Sequence, residues 1–301
     1  SIKKVPGHLI VGPKVHDAIN DYFQDHPHTE ATIAAAIGAK KEELVKPSEE
    51  EISTCLDYVS KVLPLDLNDI TTRTQLNHPL FSAWVQASND PDHHVVNWIK
   101  NGTPAGIESH AEQCGIFPPA TEAEAAMQRT LQQFHDGFEN YATMEEEPKG
   151  KELLKELAGK KFVREFSSLS DVKDYLRANP VISKLALIVS VKDGVTKYRL
   201  ILDCRISGTN DHTRKSERIL LPKVWDAIRD ALELCLKCAE GEEVEFMVCD
   251  FTDAFYMLPL HEQEQRYYVA HVDGQFYVWA RVAPGSLNGP NTFGRLSALV
   301  G

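Results

Sequence analysis

Two pairs of short apolar runs, each joined by a tight turn, mark the C-terminal half of the chain. SKLALIVSV (183–191) and TKYRLILDC (196–204) have the length and apolar content of strands and flank the turn KDGV, with Asp193-Gly194 at its tip. RYYVAHV and QFYVWAR flank Asp273-Gly274 in the same way. Asp-Gly between apolar runs is typical of a hairpin turn, so the pattern predicts two antiparallel hairpins.

Helical spacing of apolar residues predicts most of the remaining elements. The stretches 47–63 and 121–144 each open with a capping-box pattern, Ser48 with Glu51 and Thr121 with Glu124. Residues 64–120 are rich in turn formers and are expected to be irregular. The further predicted elements are a helix at KELLKELAG with Gly159 as its C-cap, helices at 168–180 and 220–241, a buried strand at EVEFMVCD (243–250), and a final helix at TFGRLSALV.

The order of these elements predicts an α+β fold in two parts. Charged residues, proline and glycine cluster at MEEEPKGK (144–151), which indicates a boundary. Residues 1–147 are expected to form a mostly helical, acidic region, and their pattern points to no particular role. Residues 148–301 are expected to form an antiparallel sheet with helices packed on one face.

The charge of the chain is unevenly distributed. The sequence has 301 residues and a net charge of −12, and all of the acidic excess lies in residues 1–150. The C-terminal half is balanced, so nucleic-acid binding there would require a local basic surface. No apolar run reaches the ~18 residues that a membrane-spanning helix needs, and we expect no membrane partner.

Cysteine usage indicates an intracellular protein. The six cysteines have no framework spacing, which predicts reduced thiols and a cytoplasmic or nuclear location. For Cys235 and Cys238, a pair on a helix is favoured over a zinc site. Solvated loop histidines are favoured at His26/His28 and His93/His94. The N-terminus does not have the pattern of a signal peptide. Because the sequence does not begin with Met, we expect a fragment or a processed piece.

The segment FMVCDFTDAFYMLPL (246–260) places two carboxylates, Asp250 and Asp253, in an apolar neighbourhood. A buried carboxylate is costly unless it is paired or bound to a cation. One interpretation is a Mg²⁺ ligand, since Mg²⁺ takes one or two carboxylates together with substrate phosphates. The other is that Asp250 or Asp253 caps a short helix after a strand, and for this motif alone capping is favoured.

The first predicted hairpin carries several basic residues. Lys192 and Lys197 lie near its tip, and Arg199 and Arg205 follow along its second strand. Such residues can reach the phosphates of a nucleotide, although lysines also keep edge hairpins soluble. Phe255, two residues after Asp253, could press on a ribose or could simply pack in the core.

In their order and spacing these motifs resemble those of the reverse transcriptases of retroelements. DFTDAFYMLPL (250–260) is similar to the first catalytic motif of that family, and KYRLILDCRISGTN (197–210) to the motif of its fingers hairpin. LLPKVWDAI is similar to the helix between the two, and APGSLNGPNTFGRL (283–296) resembles the later loop and helix that support template and nucleotide. The resemblance covers about residues 160–301 and implies the fingers and part of the palm of a right-hand polymerase.

The resemblance implies a two-metal phosphoryl transfer that extends a primer with deoxynucleotides on a nucleic-acid template. Asp250 would bind both catalytic Mg²⁺ ions, and the backbone carbonyl of Phe251 would complete a metal shell. The implied partners are an RNA or DNA template-primer, deoxynucleoside triphosphates and other modules of a retroelement polyprotein.

The resemblance also implies residues that bind the nucleotide. Phe255 would be a steric gate that leaves no room for a ribose 2′-hydroxyl. Arg199 would pack over the incoming base and touch the phosphates, and Lys192 would contact the triphosphate. The remaining positions would surround the sugar or allow close approach of the nucleotide: Asp253, Ala254 and Gly285.

Two departures from the family pattern limit the expected activity. The later loop has PGS where the family often has Pro-Gln-Gly. The aromatic-x-Asp-Asp motif, expected about 70–80 residues after Asp250 on the spacing of the family's motifs, does not occur before Gly301. We therefore expect this polypeptide by itself to be inactive. A decayed or domesticated relative that binds without catalysis is one alternative. An unrelated metal enzyme that uses Asp250 and Asp253 as its pair is another.

Overall fold

The computed structural model describes residues 8–38, 47–66, 74–121, 130–135, 137–192, 194–244, 246 and 251–300. The helices are α1 (His8–Asp25), α2 (Pro27–Gly38), α3 (Glu49–Ser60), α4 (His78–Ser88), α5 (His94–Asn101), α6 (Ala142–Glu146), α7 (Pro148–Gly159), α8 (Leu169–Leu176), α9 (Thr209–His212), α10 (Val224–Cys235) and α11 (Gly289–Val300). The strands are β1 (Val163–Phe166), β2 (Lys184–Lys192), β3 (Val195–Asp203), β4 (Val269–Val272) and β5 (Gln275–Trp279), and Ala254–Met257 and Glu262–Tyr267 are 3₁₀ turns. This mixture of helices and small antiparallel sheets confirms the α+β class.

The chain divides into two compact units. The first unit comprises residues 1–72 and 76–96, and the second comprises residues 73–75 and 97–301. The boundary expected between residues 147 and 148 lies inside the second unit, because Met144 of α6 and Leu154 of α7 belong to the same hydrophobic core.

The first unit is built from α1 to α4 around a small apolar core. Val59, Leu63 and Ala83 are buried there. The predicted capping box of α3 is confirmed, since Ser48 Oγ accepts a hydrogen bond from the Glu51 N–H and the Glu51 carboxylate accepts one from the Ser48 N–H.

The expectation that residues 64–120 are irregular is wrong at α4 and α5. Asn77, a turn former, accepts a hydrogen bond from the Leu80 N–H through its side chain and caps α4. Pro79 stands in the first turn of that helix, where it removes no hydrogen bond. The residues that suggested a loop therefore start a helix.

The second unit is organised around the antiparallel sheet β1-β5-β4. One face of the sheet contributes Val163, Tyr277 and Trp279 to a core shared with α6, α7 and the buried end of the β2–β3 hairpin. The other face contributes Phe276 and Val278 to a second core, which Val172 of α8 completes. Both faces are covered, so the prediction that helices pack on one face is wrong.

The two predicted hairpins are confirmed. β2 and β3 pair without interruption from Lys184↔Asp203 to Lys192↔Val195, and β4 pairs with β5 from Val269↔Val278 to Val272↔Gln275. The β2–β3 hairpin is buried where it meets the sheet and exposed towards its tip. Gly194 at the tip has the positive φ of 79° that the turn requires, whereas Asp193 lies outside the described residues.

Several predicted helix boundaries differ from the structure. The expected helix 121–144 is wrong over residues 130–135 and 137–141, which are not helical. The helix expected at 220–241 is shorter and spans Val224–Cys235. Gly159 remains within α7, and Lys161 with φ 60° takes the left-handed position after it. Most of the predicted strand 243–250, including Asp250, lies outside the described residues.

A buried ion pair joins three segments of the second unit. Glu217 and Arg295 approach to 3.5 Å, and both side chains are fully buried. Glu217 also accepts hydrogen bonds from the N–H groups of Cys114 and Gly115. The Arg295 guanidinium lies 4.4 Å from the ring centre of Trp98. These contacts fasten α11 to the segment around Glu217 and to the loop at Cys114.

No helix in the described part of the chain is both long and apolar enough to cross a bilayer. No disulfide links the described cysteines, among them exposed Cys235.

The buried pair predicts an asymmetric effect of mutation. Arg295→Met leaves the Glu217 carboxylate buried without its partner, so we expect the free energy of unfolding to fall by about 3–5 kcal/mol in urea titrations. The matched control is Arg229→Met, whose exposed ion pairs with Asp226 and Asp230 should contribute no more than about 1 kcal/mol. Equal losses in the two variants would contradict this assignment.

Candidate functional site

The 3₁₀ turn Ala254–Met257 begins at Asp253, which has a left-handed backbone with φ 58°. Asp253 occupies the N-cap position, but its side chain makes no capping hydrogen bond. Its carboxylate instead lies 2.7 Å from Lys160 Nζ, just after α7. The capping interpretation is therefore correct in placing Asp253 at the start of a short helical turn. It is wrong in expecting the Asp253 side chain to accept a hydrogen bond from the backbone of that turn. Ala254, the first residue of the turn, is half-buried.

Three aromatic rings meet beside this turn. The ring of Phe293, on α11, stands nearly perpendicular to those of Phe255 and Phe251, with centroids 5.7 Å and 5.4 Å apart. All three side chains are half-buried. Edge-to-face packing of this kind favours one orientation of the rings, so Phe293 supports the position of Phe255.

The loop that follows β5 is fastened to the end of β3. The Leu202 N–H donates to the Pro284 carbonyl at 3.0 Å. Asn210 donates through Nδ2 to the Gly285 carbonyl at 3.1 Å and accepts through Oδ1 from the Leu287 N–H at 3.0 Å. Thus Asn210, the last residue of the motif at 197–210, holds the loop of the motif at 283–296.

The backbone conformation and packing of the chain require glycine at position 285. Its φ is 109°, and a Cβ atom at this position would lie 2.0 Å from the Leu202 carbonyl oxygen. The close approach observed here is that of strand β3. The expected close approach of a nucleotide remains a prediction.

Phe255 and Gly285 line one open cleft of about 550 Å³. Lys215 and Arg218 line it as well, and Glu217, the one carboxylate that the described residues bring to its wall, is held by the buried ion pair with Arg295. In the described wall the two cations therefore set the local charge, which suits an anion. The described lining residues are Asn210, Lys215, Glu217, Arg218, Ile219, Phe255, Gly285, Ser286, Leu287, Pro290 and Asn291.

Lys192 and Arg199 are exposed on the β2–β3 hairpin and do not line this cleft. The strand register puts them on the same face as Lys197, because side chains alternate along each strand and Ile188 pairs with Arg199. Within the described chain, none of these three cations has an ion-pair partner. The hairpin therefore presents a basic face.

The described residues do not assemble a metal site. Asp250 lies outside them, and Asp253 is paired with Lys160. No cluster of three or more histidine, cysteine or acidic residues in the described segments could hold a metal ion. The expectations for Asp250 and the Phe251 carbonyl as Mg²⁺ ligands remain predictions.

Sequence reasoning missed four residues of this site: Asn210, Lys215, Arg218 and Phe293. The basic run TRKSER (213–218) after the hairpin was a signal for Lys215 and Arg218. Asn210 and Phe293 lay inside the motifs already quoted, but their partners are distant in sequence.

Gly285→Ala is expected to destabilise the protein by about 3 kcal/mol or more, because a strained φ adds to a collision with the Leu202 carbonyl. The control is Gly274→Ala, with φ 78° and open space around the new Cβ atom, for which about 1–2 kcal/mol is expected. Thermal unfolding of both variants measures the difference. Similar losses would show that the approach to Leu202 does not constrain Gly285.

Comparison with known proteins gives only distant similarity. No protein-family model matches the chain, and no curated protein matches it. Among solved structures, a foamy viral protease-reverse transcriptase termed dRH, in complex with double-stranded DNA, is 16% identical with a TM-score of 0.33. A second foamy viral protease-reverse transcriptase, also in complex with double-stranded DNA, is 16% identical with a TM-score of 0.31.

These similarities are partial as well as distant. Each covers 60% of this chain, but only 26% and 31% of the two solved chains. The chain thus spans less than a third of the length of these two solved chains. Sequence identity and TM-scores this low do not indicate which activity the chain has.

Proposed function

We propose that the chain carries the nucleotide-binding part of a retrotransposon RNA-directed DNA polymerase, comprising its fingers and part of its palm. The observation that carries this proposal is the meeting of separate motifs at one cleft. Asn210 of the hairpin motif binds Gly285 of the later loop across 75 residues of sequence, and Phe255 of the aspartate motif lines the same cavity. Nothing in local sequence requires three such motifs to converge.

The charges of the cleft suit the phosphates of a nucleotide. Lys215 and Arg218 supply positive charge to its wall. A guanidinium binds phosphate oxygens through paired N–H groups, and a lysine adds a point charge. Lys192 and Arg199, on the basic face of the hairpin, would contact the triphosphate from outside the cleft.

Phe255 is the residue that would select the sugar. Its ring is partly exposed in the cleft and held edge-on by Phe293. A rigid ring in this position would exclude an extra hydroxyl by steric contact. Asp253, fixed by Lys160, and Ala254 precede it at the start of the turn and would flank the sugar.

In the polymerase reaction, Asp250 and the backbone carbonyl of Phe251 would hold Mg²⁺, which when bound would supply positive charge for the attacking and leaving oxygens of phosphoryl transfer. The described residues do not group the carboxylates that two such ions need. The role proposed for these residues is therefore to bind and orient the deoxynucleotide. An RNA or DNA template-primer is the second proposed partner.

One observation favours a second candidate, a reverse-transcriptase-derived protein that binds without catalysis. Lys192, Lys197 and Arg199 form a basic face on the β2–β3 hairpin, which suits binding of nucleic acid without any catalytic step. A protein of this kind would keep the fold and its basic surfaces but would have no preference among nucleotides.

Phe255→Val tests the proposed role of the cleft. The full-length chain should bind a fluorescent deoxynucleoside triphosphate more tightly than the matching ribonucleotide. The variant should lose about tenfold of this preference, mainly by gaining affinity for the ribonucleotide, because steric exclusion in a pocket is worth about 1–3 kcal/mol. Equilibrium binding by fluorescence anisotropy gives both constants.

The control is Phe246→Val, because Phe246 is 73% exposed and does not line the cleft. An unchanged preference in Phe255→Val would refute the gate assignment. Equal affinity of the native chain for both nucleotides would favour the non-catalytic alternative.

A further inference from the structure

A second surface of the same unit collects cations outside the cleft. We call it the basic groove and define it by Lys155, Lys161, Arg164, Arg177 and Arg266. Arg164, Arg177 and Arg266 line an open cavity of about 710 Å³, and Lys155, Lys161 and Arg164 line another of about 820 Å³. Arg164 lines both cavities, so the two adjoin at this side chain, and we treat them as one depression.

Four of the five cations of the basic groove are not neutralised by any described residue. Within the described segments, no carboxylate lies at ion-pairing distance from Lys155, Lys161, Arg164 or Arg177. Arg266 reaches Glu108 only at 4.0 Å. Four unpaired cations around one depression are unexpected in a chain with a net charge of −12. Their mutual repulsion is offset when an anion binds between them.

Two of the guanidinium groups lie against aromatic rings. Arg164 lies 5.1 Å from the ring centre of Tyr175, whose hydroxyl donates to Gln265 Oε1 at 2.8 Å. Arg266 lies 4.8 Å from the ring centre of Tyr267. A stacked guanidinium keeps its N–H edges free for oxygen ligands and loses less entropy on binding. This arrangement favours phosphate oxygens, which accept such paired N–H groups.

We propose that the basic groove binds the phosphate backbone of a single-stranded nucleic acid. Together the two cavities are much larger than one phosphate, and five cations line them, which fits a chain of phosphates. Three carboxylates, Glu108, Glu165 and Glu262, line them as well. A flexible single strand can turn its phosphates away from these carboxylates, whereas a stiff duplex cannot.

The proposal assigns a surface to the nucleic-acid partner of the proposed function and in this respect rests on that function, but it does not depend on the cleft. The residues of the basic groove lie on α7, β1 and the turn Glu262–Tyr267 or shortly after α7 and α8. They do not line the cleft that contains Phe255. An experiment can therefore refute nucleic-acid binding at the groove without refuting sugar selection at the cleft, and the reverse.

The test is the double variant Arg164→Gln, Arg177→Gln in the full chain. Its binding to a labelled oligothymidylate of about 20 nucleotides is measured by fluorescence anisotropy over a series of salt concentrations. We expect affinity to fall about tenfold, and the slope of log affinity against log salt to decrease in magnitude by about 1.4 for two lost phosphate contacts. Arg164→Lys, Arg177→Lys should retain most of the slope, because the charge is kept.

The matched control is Lys173→Gln, an exposed cation on α8 that does not line the groove. Thermal unfolding shows whether each variant is folded. Native affinity and slope in the double variant, an equal loss in Lys173→Gln, or no binding by the native chain would overturn the proposal. An equal loss of affinity for a duplex of the same length would overturn the assignment to single strands.

Discussion

The buried ion pair between Glu217 and Arg295 is the constraint on which the geometry of the cleft depends. It fastens α11 to the segment 213–219, and these two elements carry Asn291 and Lys215 to the wall of the cleft. Neither charge can be left alone in the interior without a cost of several kcal/mol. The pair therefore holds the two elements in one relative position, which a purely apolar contact would specify less strictly.

Asn210 and Gly285 show that the demands of the fold and of a ligand can coincide in one residue. Gly285 is required by the Leu202 carbonyl whether or not a nucleotide binds, and Asn210 satisfies backbone groups of the same loop. Phe255 differs from both, because its ring is half-exposed in the cleft and its contact with Phe293 would tolerate other apolar side chains. A phenylalanine at position 255 is therefore stronger evidence about function than Asn210 or Gly285.

Prediction from sequence succeeded where structure is local. Both hairpins follow from apolar runs and Asp-Gly turns, and the capping box of α3 from residues three apart. It failed where packing overrides local preference. The stretch 121–144 has helical spacing, yet Leu131, Phe134 and Phe138 pack against the two cores around the sheet from segments without regular secondary structure. Strand β1 was missed because it is only four residues long.

The sequence by itself determined the α+β class, the two hairpins and the presence of Phe255 and Gly285 within recognisable motifs. Only the tertiary structure decided which side chains meet. Lys160 reaches Asp253 across 93 residues, and the basic groove draws its cations from α7 through to the turn Glu262–Tyr267. Local propensity fixes turns and strands because it acts within a few residues. Contacts across long separations depend on how the helices and the hairpin pack on the sheet, which no short segment encodes.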